Sequence, residues 1–239
     1  KNMRALLTGQ QMKEVDRIAI EEIGIPSMVL MERAAMAVAD EVIRRSEKRE
    51  VIWCACGCGN NGADGIAAAR ILSQAGFHVV IVVAGSTEKG SREFKLQASI
   101  AEKLGLNIIE YRDFIPGHCD ILVDAVFGVG LSRSVEGEYE QFLRMLHEAR
   151  PRLTIAVDMP SGISSDSGQV LGCALYANVT VTFGWEKLGT ILHPGKGYAG
   201  QVVIADIGFP ELAFETARKN WTEGGPGEIL GFTYGQEDL

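Results

Sequence analysis

One glycine-rich stretch, residues 57–65, constrains the fold of this chain more than any other feature. It carries four glycines within nine residues, with an apolar run at residues 51–56 before it and a helix-forming run at residues 66–74 after it. Glycine lets the backbone turn tightly and lets a ligand approach closely. A strand, a glycine loop and a helix in this order direct free N–H groups at an anion, usually a phosphate. The stretch therefore predicts a phosphate-binding turn, although a strand-to-helix turn without a ligand remains open.

The spacing of these glycines is that of a dinucleotide-binding loop, because residues 57–62 match G-x-G-x-x-G. A nicotinamide dehydrogenase would also need an acid about 20 residues further on, for the ribose hydroxyl. Here the next apolar run, residues 78–84, is followed by Gly-Ser-Thr at residues 85–87, and Glu88 comes late. No Gly-Lys-Ser/Thr follows the loop either. The sequence thus disfavours both an ordinary dehydrogenase and a P-loop enzyme.

Strand-like and helix-like segments alternate along most of the chain. Two helices are predicted first, over residues 8–23 and from Ser27 onward. Strands are predicted at residues 51–56, 78–84, 107–111, 120–125, 153–157, 179–183 and 201–205, and further helices at residues 62–75, 91–104 and 137–149. This alternation is typical of an α/β fold with a mostly parallel sheet and helices on both faces.

Polar side chains follow several of the predicted strands. Asp124 and Asp158 end two apolar strands, at the sheet edge where the glycine loop should also lie. Ligands of such sheets bind beyond the carboxyl ends of the strands. The two aspartates therefore predict a site, although each could also be a turn former. Asn61, Asp124 and Ser161 offer hard oxygen ligands, which suit an alkali or alkaline-earth cation; alternatively, these side chains only hydrogen-bond one another.

Charge and cysteine content narrow the possible partners and location. The net charge of −8 argues against a nucleic-acid partner or a membrane surface. No apolar run reaches the roughly 18 residues of a membrane span. Five cysteines, an odd number, fit reduced thiols better than a disulfide framework. The chain is therefore expected in the cytoplasm.

Six motifs, read in order, carry a family resemblance. They are residues 30–35 (LMERAA), 59–65 (GNNGADG), 123–131 (VDAVFGVGL), 157–162 (VDMPSG), 181–184 (VTFG) with Lys187, and 205–210 (ADIGFP). Together they resemble the YjeF N-terminal-domain family, the NAD(P)H-hydrate epimerases. The resemblance runs from about Leu7 to Pro210. Two positions depart from it: Ala63 stands where many members have glycine, and Arg33 where many have asparagine.

The resemblance implies a Rossmann-like three-layer αβα sandwich, usually dimeric. It implies interconversion of the R and S forms of hydrated NADH and NADPH, with an ADP- or ATP-dependent dehydratase as functional partner. The substrate-binding residues would be Asn60, Asn61, Gly62, Ala63, Asp64, Gly128, Val129, Gly130, Leu131, Ser132, Arg133, Ser134 and Asp158. A potassium ion (K+) would be held by Asn61, Asp124 and Ser161.

Epimerisation at a carbon that bears a hydroxyl next to a ring nitrogen needs transient bond breaking and proton transfer. A carboxylate could act first as base and then as acid. Asp158 is the first choice for this role and Asp124 the second, because a bound cation would keep Asp124 ionised as a ligand. A non-catalytic nucleotide- or partner-binding module of the same fold is the alternative.

In this interpretation, the chain consists of a domain and a tail. Residues 3–210 would form the epimerase domain. Residues 211–239 would form a tail, loop-like around Trp221, and residues 233–239 resemble the lead-in to a dehydratase domain missing from this sequence.

Overall fold

A parallel sheet of seven strands organises the computed structural model, which describes residues 5–223. Nine strands occur in the described residues, and all but β1 and β8 belong to this sheet. They are β1 Leu6–Leu7, β2 Val51–Cys56, β3 His78–Val83, β4 Ile108–Glu110, β5 Ile121–Ala125, β6 Leu153–Val157, β7 Val179–Phe183, β8 Glu186–Lys187 and β9 Gln201–Ala205. The helices are α1 Gly9–Arg17, α2 Ser27–Arg45, α3 Asn60–Gln74, α4 Arg92–Lys103, α5 Glu138–Glu148, α6 Gly195–Ala199 and α7 Glu211–Glu223.

The strand order places a ligand crevice at one point of the sheet. The order is β4-β3-β2-β5-β6-β7-β9, and every neighbouring pair in it is parallel. From β2 the chain proceeds to β3 and β4 on one side, then returns to add β5 on the other. This reversal opens a crevice between the carboxyl ends of β2 and β5. The parallel sheet predicted from the sequence is confirmed; the short β1–β8 pair forms a separate sheet.

Helices cover both faces of the sheet, as the alternation predicts. On one face, α3 packs through Ala67, Ala68 and Ala69, which are fully buried and let the helix approach the strands closely. On the other face, the buried side chains of α5, among them Phe142, pack against Trp53 of β2. Full burial of one such large apolar side chain stabilises the fold by about 1.5–3 kcal/mol. The three-layer sandwich is thereby confirmed.

Two helix starts illustrate how local capping sets the boundaries. Thr8 caps α1: its hydroxyl oxygen accepts a hydrogen bond from the Gln11 backbone N–H at 3.1 Å, and the Gln11 side chain accepts one from the Thr8 N–H at 2.9 Å. The wider helical turns of Ile18–Glu22 then continue α1 almost to the predicted end. In contrast, α3 begins at Asn60, two residues before the predicted start, because Gly59 adopts the extended cap conformation.

The helix α7 extends past Trp221, where the sequence suggests a loop. In α7, Ala213 and Ala217 are fully buried. The indole N–H of Trp221 donates to the Glu14 carboxylate at 2.5 Å, which ties the helix to α1. The loop prediction for Trp221 is therefore wrong, because small residues four apart give this segment a helical packing face. Residues 233–239 lie outside the described residues. Among the helices described, none combines the length and apolar character of a membrane span.

Candidate functional site

A cavity of about 890 Å³ opens at the crevice between β2 and β5. This volume lies near the upper end of the range of about 300–1,000 Å³ for small-molecule sites. Ten of the predicted substrate-binding residues line it: Asn60, Asn61, Asp64, Gly128, Val129, Gly130, Leu131, Ser132, Arg133 and Asp158. The fold therefore brings most of the predicted substrate-binding residues together in this cavity.

Some predicted residues do not line the cavity. Gly62, Ala63 and Ser134 are outside its lining, and Ala63, in the first turn of α3, is fully buried in the core. A methyl group at position 63 thus fills core space and leaves the cavity wall unchanged. Arg33, the other departure from the family pattern, lies outside the lining as well and donates to the Asp206 carbonyl at 3.4 Å.

The start of α3 forms one wall of the site. Gly59 occupies the cap position and no side chain caps this helix end. The first N–H groups of the helix, from Asn60 onward, have no partner within the helix and are available to an anion. The Gly57 N–H donates to the Ala125 carbonyl at 3.1 Å and fixes the turn against β5. The tight turn from strand to helix predicted from the glycine spacing is therefore present.

Gly62 is required by close backbone contact. A Cβ at this position would lie 1.7 Å from the Gly57 carbonyl oxygen, whereas a Cβ at Gly59 would meet nothing within 4 Å. We expect Gly62→Ala to lower the free energy of unfolding by about 1–3 kcal/mol, because the backbone must shift to relieve the clash. Urea denaturation measures this, with Gly59→Ala as the matched control. Equal stability of the two variants would show that the turn tolerates a side chain.

Asp124 and Ser161 join the ends of β5 and β6 beneath the cavity. Both are fully buried. The Ser161 hydroxyl donates to Asp124 Oδ1 at 2.5 Å, and the Ser161 N–H donates to Asp124 Oδ2 at 2.8 Å. Burial raises the pKa of Asp124 to about 6, and the hydrogen bonds from Ser161 oppose that rise. Asp124 thus holds two loops together and does not itself line the cavity.

Asn61 completes the set of predicted cation ligands. Its carboxamide lies against Gly128, where a Cβ would come within 2.8 Å of Asn61 Oδ1. The Asn61 Nδ2 atom is buried and has no hydrogen-bond partner among the described residues. Leaving such a group unpaired costs about 1–3 kcal/mol, so a ligand is the natural partner. The two ends of a carboxamide exchange by rotation, so either could meet that ligand.

The three predicted cation ligands meet at one segment. Asn61 contacts Gly128, and Ser161 accepts a hydrogen bond from the Phe127 N–H at 2.9 Å while bonding Asp124. Amide, hydroxyl and carboxylate oxygens with a single formal charge suit a weakly hydrated monovalent cation better than zinc. The residues present therefore fit the predicted potassium site.

Asp158 is held by a buried lysine that the sequence pattern alone did not assign to the site. Lys187 is fully buried, and its ammonium donates to Asp158 Oδ1 at 2.8 Å. The Thr182 hydroxyl and the Phe183 N–H donate to the same oxygen at 3.0 and 3.3 Å. Oδ2 receives none of these hydrogen bonds. Asp158 also has a φ of 67°, which is rare for a residue other than glycine and clusters at functional positions.

Two further aspartates face Asp158. Burial, with the charges of Asp158 and Asp16, raises the pKa of Asp64 well above its ordinary value. Burial, with the charges of Asp158 and Glu93, raises the pKa of Asp16 to about 6. Burial beside two other carboxylates therefore favours the protonated form of Asp64, which can donate a proton. Asp16 was not predicted as a site residue from the sequence. The feature that could have indicated it is an acidic residue between Met12 and Ile20 on the face of the N-terminal helix that lines the cavity.

The raised pKa of Asp16 predicts how stability depends on pH. Folding raises this pKa from 3.8 to about 6, so the folded state binds more protons and loses stability as pH rises between these values. Asp16→Asn removes that loss. We expect its stabilising effect in urea denaturation to be larger at pH 7 than at pH 4. Asp113→Asn, at an exposed position, is the control. The same effect of Asp16→Asn at both pH values would contradict the assignment.

Topology and site together define the class of this protein. It is a Rossmann-like α/β protein with its ligand cavity at the topological switch point and an acidic cluster at one end. Residues 27–189 match the family model described as YjeF-related protein N-terminus, and the chain belongs to that family.

Relatives in several bacteria carry the name NAD(P)H-hydrate epimerase. One from Limosilactobacillus fermentum is 40% identical, over 84% of this chain and 95% of the relative. One from Limosilactobacillus reuteri is 42% identical over 84% and 94% of the two chains, and one from Oenococcus oeni is 41% identical over 86% and 97%. This chain therefore spans nearly the full length of these relatives.

A solved structure confirms the fold. The crystal structure of yeast ynu0 superposes with a TM-score of 0.71 and covers 83% of this chain and 86% of its own. The two sequences are 21% identical, so this likeness concerns the fold alone.

Proposed function

We propose that this chain is an NAD(P)H-hydrate epimerase, which interconverts the R and S forms of hydrated NADH and NADPH. The observation that carries the proposal is about 40% identity to relatives of that name over more than four fifths of the chain. The cavity supports it, because the family motifs at residues 59–65, 123–131 and 157–162 meet there.

The substrate's diphosphate would lie at the start of α3. The uncapped N–H groups there and the loop of residues 128–133 offer backbone donors, and Arg133 adds a positive charge at the cavity. The hydrated nicotinamide would then extend over the ends of β5 and β6 toward Asp158. This orientation follows the general rule for sheets of this topology.

The reacting carbon carries a hydroxyl and a ring nitrogen. Its inversion requires the hydroxyl proton to be removed as the carbon–nitrogen bond breaks to leave a carbonyl, with a proton supplied to the nitrogen. The reverse steps then close the ring on the opposite face. Asp158 would serve as the base, because Oδ2 receives none of the hydrogen bonds that hold Oδ1. Asp64 would supply the proton, since burial and the charges of Asp158 and Asp16 raise its pKa and favour its protonated form. Asp124 is less suited, because it is fully buried and bonded through both oxygens to Ser161.

A potassium ion would be held by Asn61, Asp124 and Ser161. The Asn61 carboxamide is not fully hydrogen-bonded, and turned over about its last bond it would present its oxygen to the ion. The ion would supply positive charge near the diphosphate, while the three side chains hold the loops after β2, β5 and β6 together.

The proposal also covers the partner enzyme, the oligomeric state and the cellular location. The S form would pass to an ADP- or ATP-dependent dehydratase, which makes that enzyme the functional partner. A homodimer is proposed on the family resemblance, and a cytoplasmic location on the net charge of −8 and the odd number of cysteines.

A coupled assay tests the function. A mixture of both hydrate epimers is supplied with an S-specific dehydratase and its nucleotide, with and without this chain. We expect the dehydratase alone to consume the S form quickly and the R form at the slow spontaneous rate, and both forms to be consumed quickly once the chain is added. A run in sodium instead of potassium salts should be slower. No acceleration, with the dinucleotide still bound, would favour the binding-module alternative.

A further inference from the structure

The carboxyl end of β3 contributes a basic group to the cavity where an acid is usual. Ser86, Lys89 and Ser91 line the cavity, whereas Glu88 does not. In dinucleotide-binding sheets, an Asp or Glu at this strand end binds the ribose 2′-hydroxyl of NAD, and a basic residue nearby accommodates the 2′-phosphate of NADP. The acid absent from the dehydrogenase pattern is thus replaced by an ammonium group and two hydroxyls.

This segment lies beside the proposed diphosphate site. The Ser91 N–H donates to the Cys58 carbonyl at 2.9 Å, and Cys58 belongs to the glycine loop. A Cβ at Gly90 would lie 3.3 Å from the same carbonyl. The adenosine ribose is joined directly to the diphosphate, so a diphosphate at this loop brings its 2′ position next to the β3 end.

The side chains at this strand end are free to meet an anion. The Ser91 hydroxyl oxygen accepts from the Phe94 N–H at 3.0 Å, which leaves its O–H for a ligand. Lys89 is exposed on the cavity wall. Thr87 is turned to Glu110, to which its hydroxyl donates at 3.3 Å.

One acid also lines this part of the cavity and has to be weighed against Lys89. Glu93 accepts a hydrogen bond from the Ser27 hydroxyl at 3.0 Å, and its charge contributes to the raised pKa of Asp16. It is therefore held on the side of α2 and the acidic cluster. If Glu93 instead bound the ribose hydroxyl, the protein would favour the dinucleotide without the 2′-phosphate.

We propose that Lys89, with the hydroxyls of Ser86 and Ser91, binds the 2′-phosphate and makes hydrated NADPH the preferred substrate over hydrated NADH. The inference rests on the proposed epimerase function and names the specificity of that same site. Lys89 acts here as a specificity-determining residue that has no part in the proton transfer.

The kinetic test compares both hydrates. Because Lys89 is exposed, its contact with the 2′-phosphate should give wild type about a tenfold higher kcat/KM for hydrated NADPH. Lys89→Ala should lose that advantage, because its kcat/KM falls for hydrated NADPH and stays unchanged for hydrated NADH. Lys95→Ala, at an exposed position outside the cavity lining, is the matched control and should keep it. Epimerisation of both hydrates with the same ratio in wild type and Lys89→Ala overturns the inference.

A binding test separates this inference from the epimerase function. NADP⁺ and NAD⁺ differ only in the 2′-phosphate, and calorimetry measures both without turnover. We expect wild type to bind NADP⁺ about tenfold more tightly and Lys89→Ala to bind both equally. If that pattern appears while neither hydrate is epimerised, the 2′-phosphate site stands and the epimerase function fails. Equal binding of the two by wild type, or a preference for NAD⁺ through Glu93, rejects the site.

Discussion

Asp158→Asn is expected to lower the rate of epimerisation by about 10²–10⁴-fold while dinucleotide binding remains, because the general base is lost. Asparagine has the same shape and tolerates the left-handed backbone at this position, where φ is 67°. It can also still accept a hydrogen bond from Lys187. The variant therefore removes the carboxylate while the shape of the side chain is retained, and it lowers stability because the buried Lys187 ammonium loses its opposite charge.

The readout must separate chemistry from binding. For Asp158→Asn, kcat should fall with little change in the dissociation constant of the dinucleotide. Asp40→Asn, at an exposed position on α2, is the control and should match wild type. Thermal unfolding of each variant shows whether the fold is retained. Turnover of Asp158→Asn at the wild-type rate would remove Asp158 from the mechanism.

Lys187→Met is expected to have the largest effect on stability. The ammonium of Lys187 is fully buried and donates to Asp158, to the Thr182 hydroxyl and to the Phe183 carbonyl. Methionine fills similar space, but it leaves the buried carboxylate of Asp158 without its opposite charge. Breaking a buried ion pair in this way costs about 3–5 kcal/mol. Epimerisation should also fall, because Asp158 loses the group that fixes its position.

A double variant distinguishes the lost pair from lost packing. Asp158→Asn with Lys187→Met leaves no unpaired buried charge, so it should be more stable in urea than Lys187→Met alone. Lys103→Met, at an exposed position on α4, controls for the loss of a positive charge. If the double variant is destabilised by the sum of the two single effects, the ion pair does not contribute as described.

The sheet and the outline of the site could be predicted from the sequence because both follow from local patterns. Apolar runs alternating with helical patterns require a parallel sheet, and the carboxyl ends of such strands meet at one edge. Asp158 and the glycine loop therefore come together in the structure, as expected. The extension of α3 back to Asn60 was missed, because Gly59 acts as a cap through its backbone alone.

The partners of Asp158 could not be predicted by the same reasoning. Lys187 is separated from it by 29 residues in sequence, and lysine is almost never fully buried unless paired. The pairing depends on how β7 and the turn after it pack, which no local pattern records. Asp16 reaches the site from α1, an element outside the strand-end rule. The helix α7 was missed because its packing face is made of small alanines.

The central claim is tested most directly by following one purified epimer without any coupling enzyme. The R form of hydrated NADPH is incubated with the chain in potassium buffer, and the appearance of the S form is followed by chromatography that resolves the two. We expect the mixture to approach equilibrium far faster than in buffer or with Asp158→Asn, with no oxidation or reduction of the dinucleotide. An S-form appearance rate equal to that in buffer alone would contradict it.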